Sequence, residues 1–199
     1  MGQENSRLLR ALQILEEISK EAKEIDLVIL SSWQYRCIKC DTIIERTDDS
    51  YYCPNCEKIL NDHEVIDREI DEIRKILRSY FKGNPILCRI SLRTLEGVNI
   101  DEKSTLLDKI LDEIDKADKC VVILFPDREN RLCTSEMYAS FQRNKSQSKF
   151  IYCQPYELNV DLVLRDFIKK MPIRRVLYSD IPNLCSKLTN ALLDMLSQQ

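Results

Sequence analysis

The sequence predicts an α/β fold of the flavodoxin-like type, a doubly wound sheet of five parallel strands that carries one small inserted module. From residue 25 to the end, short apolar runs alternate with amphipathic stretches at helical spacing. The runs are apolar nearly throughout, which is typical of parallel strands that are covered on both faces. Two CxxC pairs interrupt the alternation once, after the first run. Because parallel strands need crossover connections, helices are expected on both faces of the sheet.

The strands and helices follow one another in a regular order. The first strand is predicted at 25–32, where IDLVILSS is almost continuously apolar, and the other four at 85–92, 119–125, 149–154 and 174–179. The first helix of the domain is predicted at 64–81, where isoleucine and leucine recur on one face until Lys82 and Gly83 end the pattern. The later helices are predicted at 101–117, 135–144, 161–170 and 182–197.

The chain divides into an N-terminal amphipathic helix at 1–24 and an α/β domain at 25–199. Leucine, isoleucine and alanine recur at helical spacing from residue 7 to residue 25, and packing of this helix on the domain is the default expectation. The cysteine-rich module, 34–60, is predicted as an insert between the first strand and the first helix of the domain.

Composition excludes several classes of protein. The net charge of −3 and the pI of about 5.4 provide no general attraction for nucleic acid or an anionic membrane. The charged amino terminus resembles no signal peptide, and no run of eighteen apolar residues occurs, so we expect a cytoplasmic protein without membrane contact. With glycine only at positions 2, 83 and 97, neither a P-loop nor a GxGxxG turn is present.

The two CxxC pairs predict a metal site. Cys37, Cys40, Cys53 and Cys56 have the spacing of a zinc ribbon, in which two turns supply four thiolates to a tetrahedral ion. Four sulfurs close the coordination shell, so the expected Zn²⁺ is structural rather than hydrolytic, although four thiolates also accept iron. Between 36 and 62 four basic residues stand against six acidic ones, which favours a structural or protein-docking role over nucleic-acid binding.

The carboxyl ends of the strands are where a parallel sheet binds ligands. The residues that follow the predicted strands, or open the next helix, are Ser31, Ser32, Arg93, Phe125, Glu136 and the segment 154–156. Glu136 is the one carboxylate in the first turn of a predicted helix close behind a central strand. It is a candidate catalytic group, and the alternative is that it only interacts with the helix dipole next to an N-cap at Thr134 or Ser135.

Three segments in this order resemble the TIR (Toll/interleukin-1 receptor) domain family, over roughly 25–197 without the insert. DLVILSS is similar to the opening strand of that family, and EGVNI at 96–100 is similar to its second loop. LCTSEMYASF at 132–141 resembles the WCxxE helix start, with Cys133 and Glu136 matching and Leu132 where tryptophan is usual.

The resemblance implies that Glu136 occupies the position of the catalytic glutamate in TIR domains that cleave NAD⁺. Because nicotinamide leaves as a neutral base, one carboxylate that stabilises oxocarbenium-like charge is sufficient, unlike at an ordinary glycoside. Four residues are expected to contact the dinucleotide. These are Ser31, Arg93 at the pyrophosphate, Gly97 where the loop backbone approaches the ligand, and Phe125 or else Trp33 stacked on a base.

Two other functions fit the same pattern. One is a non-enzymatic TIR-like adaptor, in which the acidic ribbon and the N-terminal helix recruit partners. The other is an enzyme similar to the nucleoside deoxyribosyltransferases, which share the doubly wound sheet and a glutamate after a central strand. For the enzyme and the adaptor alike, we expect a protein partner or self-assembly.

Overall fold

The computed structural model describes residues 23–44, 46–47, 50–95, 105–143, 149–158, 162–170 and 173–197. The predicted N-terminal helix lies outside these residues except for positions 23 and 24, which precede the first strand, and Gly97 also lies outside them. In the described ranges no helix is both long and apolar enough to cross a membrane.

The described strands and helices alternate as the sequence predicts. The strands are β1 (Ile25–Ser31), β2 (Arg36–Cys37), β3 (Arg46–Thr47), β4 (Ser50–Cys53), β5 (Lys58–Leu60), β6 (Val65–Ile66), β7 (Ile90–Thr94), β8 (Lys119–Ile123), β9 (Phe150–Pro155) and β10 (Arg174–Tyr178). The helices are α1 (Arg68–Lys82), α2 (Leu106–Lys116), α3 (Arg131–Arg143), α4 (Leu162–Lys170) and α5 (Ile181–Leu196).

Five of the strands form one parallel sheet in the order β10-β9-β8-β1-β7. The first strand therefore lies inside the sheet, and later strands are added on both sides of it, which confirms the flavodoxin-like doubly wound prediction. The order reverses between β1 and β8. In a fold of this kind, the carboxyl ends of these two strands mark the usual ligand crevice.

Each face of the sheet is covered by its own apolar layer. Along β1, Leu27 and Ile29 pack with residues of α1 and α5, whereas Val28 and Leu30 pack with residues of α2, α3 and α4. This alternation follows from the two-residue period of a strand. The inner strands β8 and β9 are buried along their whole length, and β1 is buried from Leu27 onward, which explains why these strands are almost continuously apolar.

The predicted strand at 85–92 begins later than expected. The Asn84 side chain accepts hydrogen bonds from the backbone N–H groups of Ile86 (2.9 Å) and Leu87 (3.1 Å), and a 3₁₀ turn follows at Leu87–Arg89. The strand starts only at Ile90. Leu87 is fully buried beside that turn, so the apolar residue belongs to the core without belonging to the strand.

The insert is a small β-module that leaves and rejoins the domain at one place. β2 pairs antiparallel with β6 at its base, and β3, β4 and β5 form a three-stranded sheet beyond them. Its own small core consists of Cys37, Ile44, Tyr51, Cys53 and Leu60. We call residues 34–66 the ribbon.

Lys149 stabilises the end of α2 from inside the protein. Its buried ammonium donates to the carbonyl oxygens of Ile114 (2.7 Å) and Ala117 (3.4 Å).

We expect Lys149→Met to lower the free energy of unfolding by about 2–3 kcal/mol, because these carbonyls lose their donor. Urea denaturation measures the change. Lys116→Met, which removes an exposed ion pair with Glu113, is the matched control and should cost about 0.5 kcal/mol or less. Equal effects in the two variants would contradict the assignment.

Candidate active site and candidate metal centre

The four predicted metal ligands come together in the ribbon. Their Sγ atoms all lie within 4.8 Å of one another. The Sγ–Sγ distances are 3.8 Å for Cys37 and Cys56, 3.4 Å for Cys40 and Cys53, and 3.5 Å for Cys40 and Cys56. Since a metal–sulfur bond of about 2.3 Å gives a tetrahedral edge of about 3.8 Å, the cluster has the size of a four-thiolate site. It could hold a metal ion.

The two CxxC turns have the same backbone geometry. Asp41 and Glu57, each directly after the second cysteine of its pair, have φ of 60° and 51°. The left-handed conformation reverses the chain and brings both sulfurs of a turn to one side. In the first turn the Asp41 N–H donates to the Cys37 carbonyl oxygen at 2.8 Å. Glycine is common in such conformations, but here both positions have acidic residues.

The thiols of the cluster influence one another's ionisation. Hydrogen bonding to Thr42 lowers the pKa of Cys40 to about 5. By contrast, the neighbouring Cys40 sulfur is the main cause that raises the pKa of Cys56 to about 12. One thiolate is therefore favoured at neutral pH, while the hydrogen bond with its sulfur and burial keep the Cys56 thiol protonated. A cation at the centre of the cluster would favour the thiolate form of both.

Loops after β1 and β8 meet at the reversal point of the sheet. The Ser32 hydroxyl donates to the Glu129 carbonyl oxygen and lies 3.9 Å from the Cys133 sulfur. Burial raises the pKa of Cys133 to about 11, and the nearby Glu136 carboxylate contributes to the rise. Cys133 is thus a buried thiol rather than a nucleophile. Glu136 lies beside it on α3.

Glu136 lies in the second turn of α3. The helix begins at Arg131, four residues before the predicted start, and the Asn130 carbonyl oxygen accepts the Thr134 N–H at 3.3 Å. No acidic residue occupies the first turn. The alternative in which Glu136 is a first-turn partner of the helix dipole is therefore wrong, because the dipole acts mainly within that turn.

Burial alone changes the ionisation of Glu136. Desolvation raises the pKa of its carboxyl group to about 7. In the described part of the chain, no hydrogen bond or ion pair to this carboxyl group is found that would offset the desolvation. A half-buried carboxyl group on the helix that follows β8, with a strongly perturbed pKa, is a candidate functional group.

The loop between β8 and α3 is held by its own side chains. The Asn130 amide donates to the Phe125 carbonyl oxygen (2.7 Å) and accepts the Phe125 N–H (3.1 Å). The guanidinium carbon of Arg128 lies 4.1 Å from the centre of the Phe125 ring. Phe125 is consequently buried in the core, with one face covered by a cation.

A buried ion pair joins this loop to the end of the ribbon. The Arg128 side chain is 3% exposed and the Asp67 side chain 1% exposed. Arg128 donates to both Asp67 oxygens, at 2.6 and 3.0 Å, to the Glu69 carboxylate at 2.7 Å and to the Ser32 carbonyl oxygen at 2.7 Å. Asp67 also caps α1 by accepting the Ile70 N–H at 3.2 Å. The sequence does not predict this pair, because no spacing rule connects its members.

The residues expected to contact a dinucleotide have other partners. The Ser31 hydroxyl donates to the Ile123 carbonyl oxygen at 3.1 Å, inside the sheet. Arg93 is ion-paired with Asp26 and Glu113, at 2.7 Å each. Phe125 is buried in the core. The side chains of Ser31, Arg93 and Phe125 therefore all make their contacts within the domain. Trp33, the alternative stacking residue, stacks on Tyr35 and packs against the core.

No protein-family model matches the chain, and no match is found among curated proteins.

We expect Glu136→Gln to stabilise the protein at high pH. The native pKa of about 7 is above the unfolded value of 4.5, so the folded state loses stability as pH rises between these values. Below about pH 4 the carboxyl group is protonated in both states and the substitution should be nearly neutral. Near pH 8 it should add about 1–2 kcal/mol, after allowance for solvent screening of the partly accessible group.

Urea denaturation at pH 4 and pH 8 measures this difference. The control is Glu157→Gln, a replacement of an exposed glutamate, which should change stability little at either pH. If Glu136→Gln destabilised the protein at pH 8, the carboxylate would have a structural partner, and the site assignment would be wrong.

Proposed function

We propose that the chain is a TIR-like NAD⁺ hydrolase in which Glu136 stabilises the transition state of N-glycosidic cleavage. The observation that carries the proposal is the half-buried Glu136 carboxyl group, which has a pKa raised to about 7 by desolvation and lies on the helix that follows a central strand. Glu136 lies beyond the first turn of its helix and does not cap it. Among the described residues it forms no ion pair. The order of the DLVILSS, EGVNI and LCTSEMYASF segments supports the family assignment.

The chemistry needs a single carboxylate. Nicotinamide leaves the ribose as a neutral base, so no general acid has to protonate it. The ionised Glu136 would hold the ribose hydroxyls and oppose the positive charge that develops at the anomeric carbon. Because the site is only partly accessible to water, this attraction is stronger than it would be in bulk solvent. Water then attacks the ribosyl carbon, and loss of one proton to the solvent gives ADP-ribose.

The cysteine cluster is proposed as a structural zinc site. Four sulfurs at tetrahedral separations leave no position for a reactive water. The metal would stabilise a ribbon whose own core has only a few apolar residues.

A protein-interaction platform is the second candidate function. Tyr52 and Ile59 face each other across β4 and β5, and they are 47% and 68% exposed. Such a pair on the outer surface of the ribbon favours contact with a partner protein. On this alternative the chain would be an adaptor without turnover.

Metal content tests the zinc proposal. We expect one equivalent of Zn²⁺ per chain by elemental analysis, and loss of that equivalent in Cys53→Ser, because three thiolates cannot close the shell. Cys88→Ser, which changes an exposed cysteine outside the cluster, should keep the metal. A coloured protein that contains iron would overturn the choice of zinc, and a metal-free wild type would overturn the site.

Nicotinamide release tests the hydrolase proposal. Purified protein should release nicotinamide from NAD⁺, and Glu136→Gln should lower the rate at least about 100-fold, because the charge that stabilises the transition state is lost. The wild-type rate should rise about tenfold between pH 6 and pH 8 as a group with a pKa near 7 ionises. Glu157→Gln should retain the wild-type rate.

Three other outcomes would contradict the hydrolase proposal. Turnover that persists in Glu136→Gln would remove Glu136 from the mechanism. Exchange of bases between deoxynucleosides, without release of nicotinamide, would indicate the transferase instead. No turnover by concentrated wild-type protein would favour the adaptor.

A further inference from the structure

The ribbon is joined to the domain at a base that contains a metal ligand. At this base β2 pairs with β6, with Cys37 opposite Val65 and Arg36 opposite Ile66. Cys37 is therefore both a ligand of the candidate metal and a member of the pairing that positions the chain just before Asp67. A metal ion that orders the four cysteines would also hold this base in place.

Asp67 connects the base of the ribbon to two parts of the domain. Its carboxylate accepts the Gln34 N–H at 2.8 Å, on the chain segment that enters the ribbon, and caps α1 on the segment that leaves it. The same carboxylate forms the buried pair with Arg128. If the ribbon base loosened, Asp67 would lose its fixed position, and Arg128 would be left as a buried charge without its main partner.

Arg128 in turn orders the loop that precedes Glu136. Its guanidinium bonds the Ser32 carbonyl oxygen and covers the Phe125 ring. The Ser32 hydroxyl contacts the Glu129 carbonyl oxygen and the Cys133 sulfur. These contacts run without interruption from Asp67 to the first turn of α3. The next turn of that helix contains Glu136.

We propose that metal binding at the four cysteines and ordering of residues 125–133 are coupled through the Asp67–Arg128 ion pair, with Arg128 as a positioning residue for the Glu136 end of α3. The coupling itself does not depend on NAD⁺ cleavage. Only its effect on Glu136 rests on the proposed function.

Linkage makes the coupling measurable from both ends. If metal binding favours the ordered loop by a given factor, then the ordered loop favours metal binding by the same factor. Breaking the ion pair that couples them must therefore weaken metal binding. The ribbon also has an exposed contact with α1, between Arg68 and Asp41 at 2.9 Å, with side chains 56% and 47% exposed. Because exposed ion pairs contribute little, Arg68 provides a matched control on the same surface.

The first experiment is hydrogen exchange of the full wild-type chain, loaded with Zn²⁺ and then treated with a chelator. We expect metal removal to speed exchange in 33–67 and also in 125–134, while α5 keeps its protection. Faster exchange confined to 33–67 would overturn the coupling. An equal rise in α5 would show global unfolding and would overturn it as well. No variant is needed, so the result does not depend on a mutant that folds.

The second experiment is a competition titration of Zn²⁺ against a chromophoric chelator. Arg128→Met should weaken zinc binding about tenfold or more, and Arg68→Met less than twofold. Arg128→Lys should recover part of the affinity, since lysine can pair with Asp67 but cannot reach Glu69 and Ser32 at the same time. Unchanged affinity in Arg128→Met, or equal losses in the Arg68 and Arg128 variants, would overturn the proposal. These readouts do not involve nicotinamide release, so the coupling and the hydrolase proposal can fail separately.

Discussion

The contacts of the buried Asp67 carboxylate hold together the segments at the carboxyl ends of β1 and β8. It accepts hydrogen bonds from the N–H groups of Gln34 and Ile70 and from both terminal nitrogens of Arg128. One side chain therefore fixes the start of α1, the base of the ribbon and the loop after β8. A charge this deeply buried is tolerated because every direction around it has a donor.

Two carboxyl groups at the same edge of the sheet have opposite environments. Asp67 lies against a guanidinium and two backbone donors, so its negative charge is matched. Glu136 lies beside the Cys133 sulfur, and burial raises its pKa to about 7. The environment thus assigns one carboxylate to structure and leaves the other ready to change its charge near neutral pH.

The fold and the cysteine cluster could be predicted because both depend on local patterns. Apolar periodicity located the five parallel strands, and cysteine spacing located the four thiols. Boundaries were less predictable where side chains bond the backbone. The Asn84 side chain delayed β7, and the polar residues around Asn130 concealed the start of α3. At β7 the Asn84 side chain rather than the hydrophobic pattern determines where the strand begins, and before α3 the Asn130 side chain bonds the Phe125 backbone in the preceding loop.

The partners of charged residues could not be predicted, because they come from distant parts of the chain. Arg93 was expected at a pyrophosphate, yet it pairs with Asp26 on the neighbouring strand and with Glu113 at the end of α2. Arg128 pairs with Asp67, which lies 61 positions earlier in the sequence. Sequence spacing gives no information on contacts of this kind. Only the topology of the sheet brings these residues together.

The ion pair at the point where the strand order reverses restricts how a dinucleotide could bind. In many doubly wound proteins the helix after β1 directs free N–H groups at a phosphate. Here Asp67 already accepts the Ile70 N–H at the start of α1, and Arg128 is buried against that carboxylate. Glu136 belongs to α3, on the opposite face of the sheet from α1. A pyrophosphate beside Glu136 would therefore need cations other than Arg93 and Arg128, both of which are ion-paired. Opening the Arg128–Asp67 pair to free a cation would leave a buried carboxylate without its matching charge, so under the proposed function the phosphate contacts have to come from elsewhere.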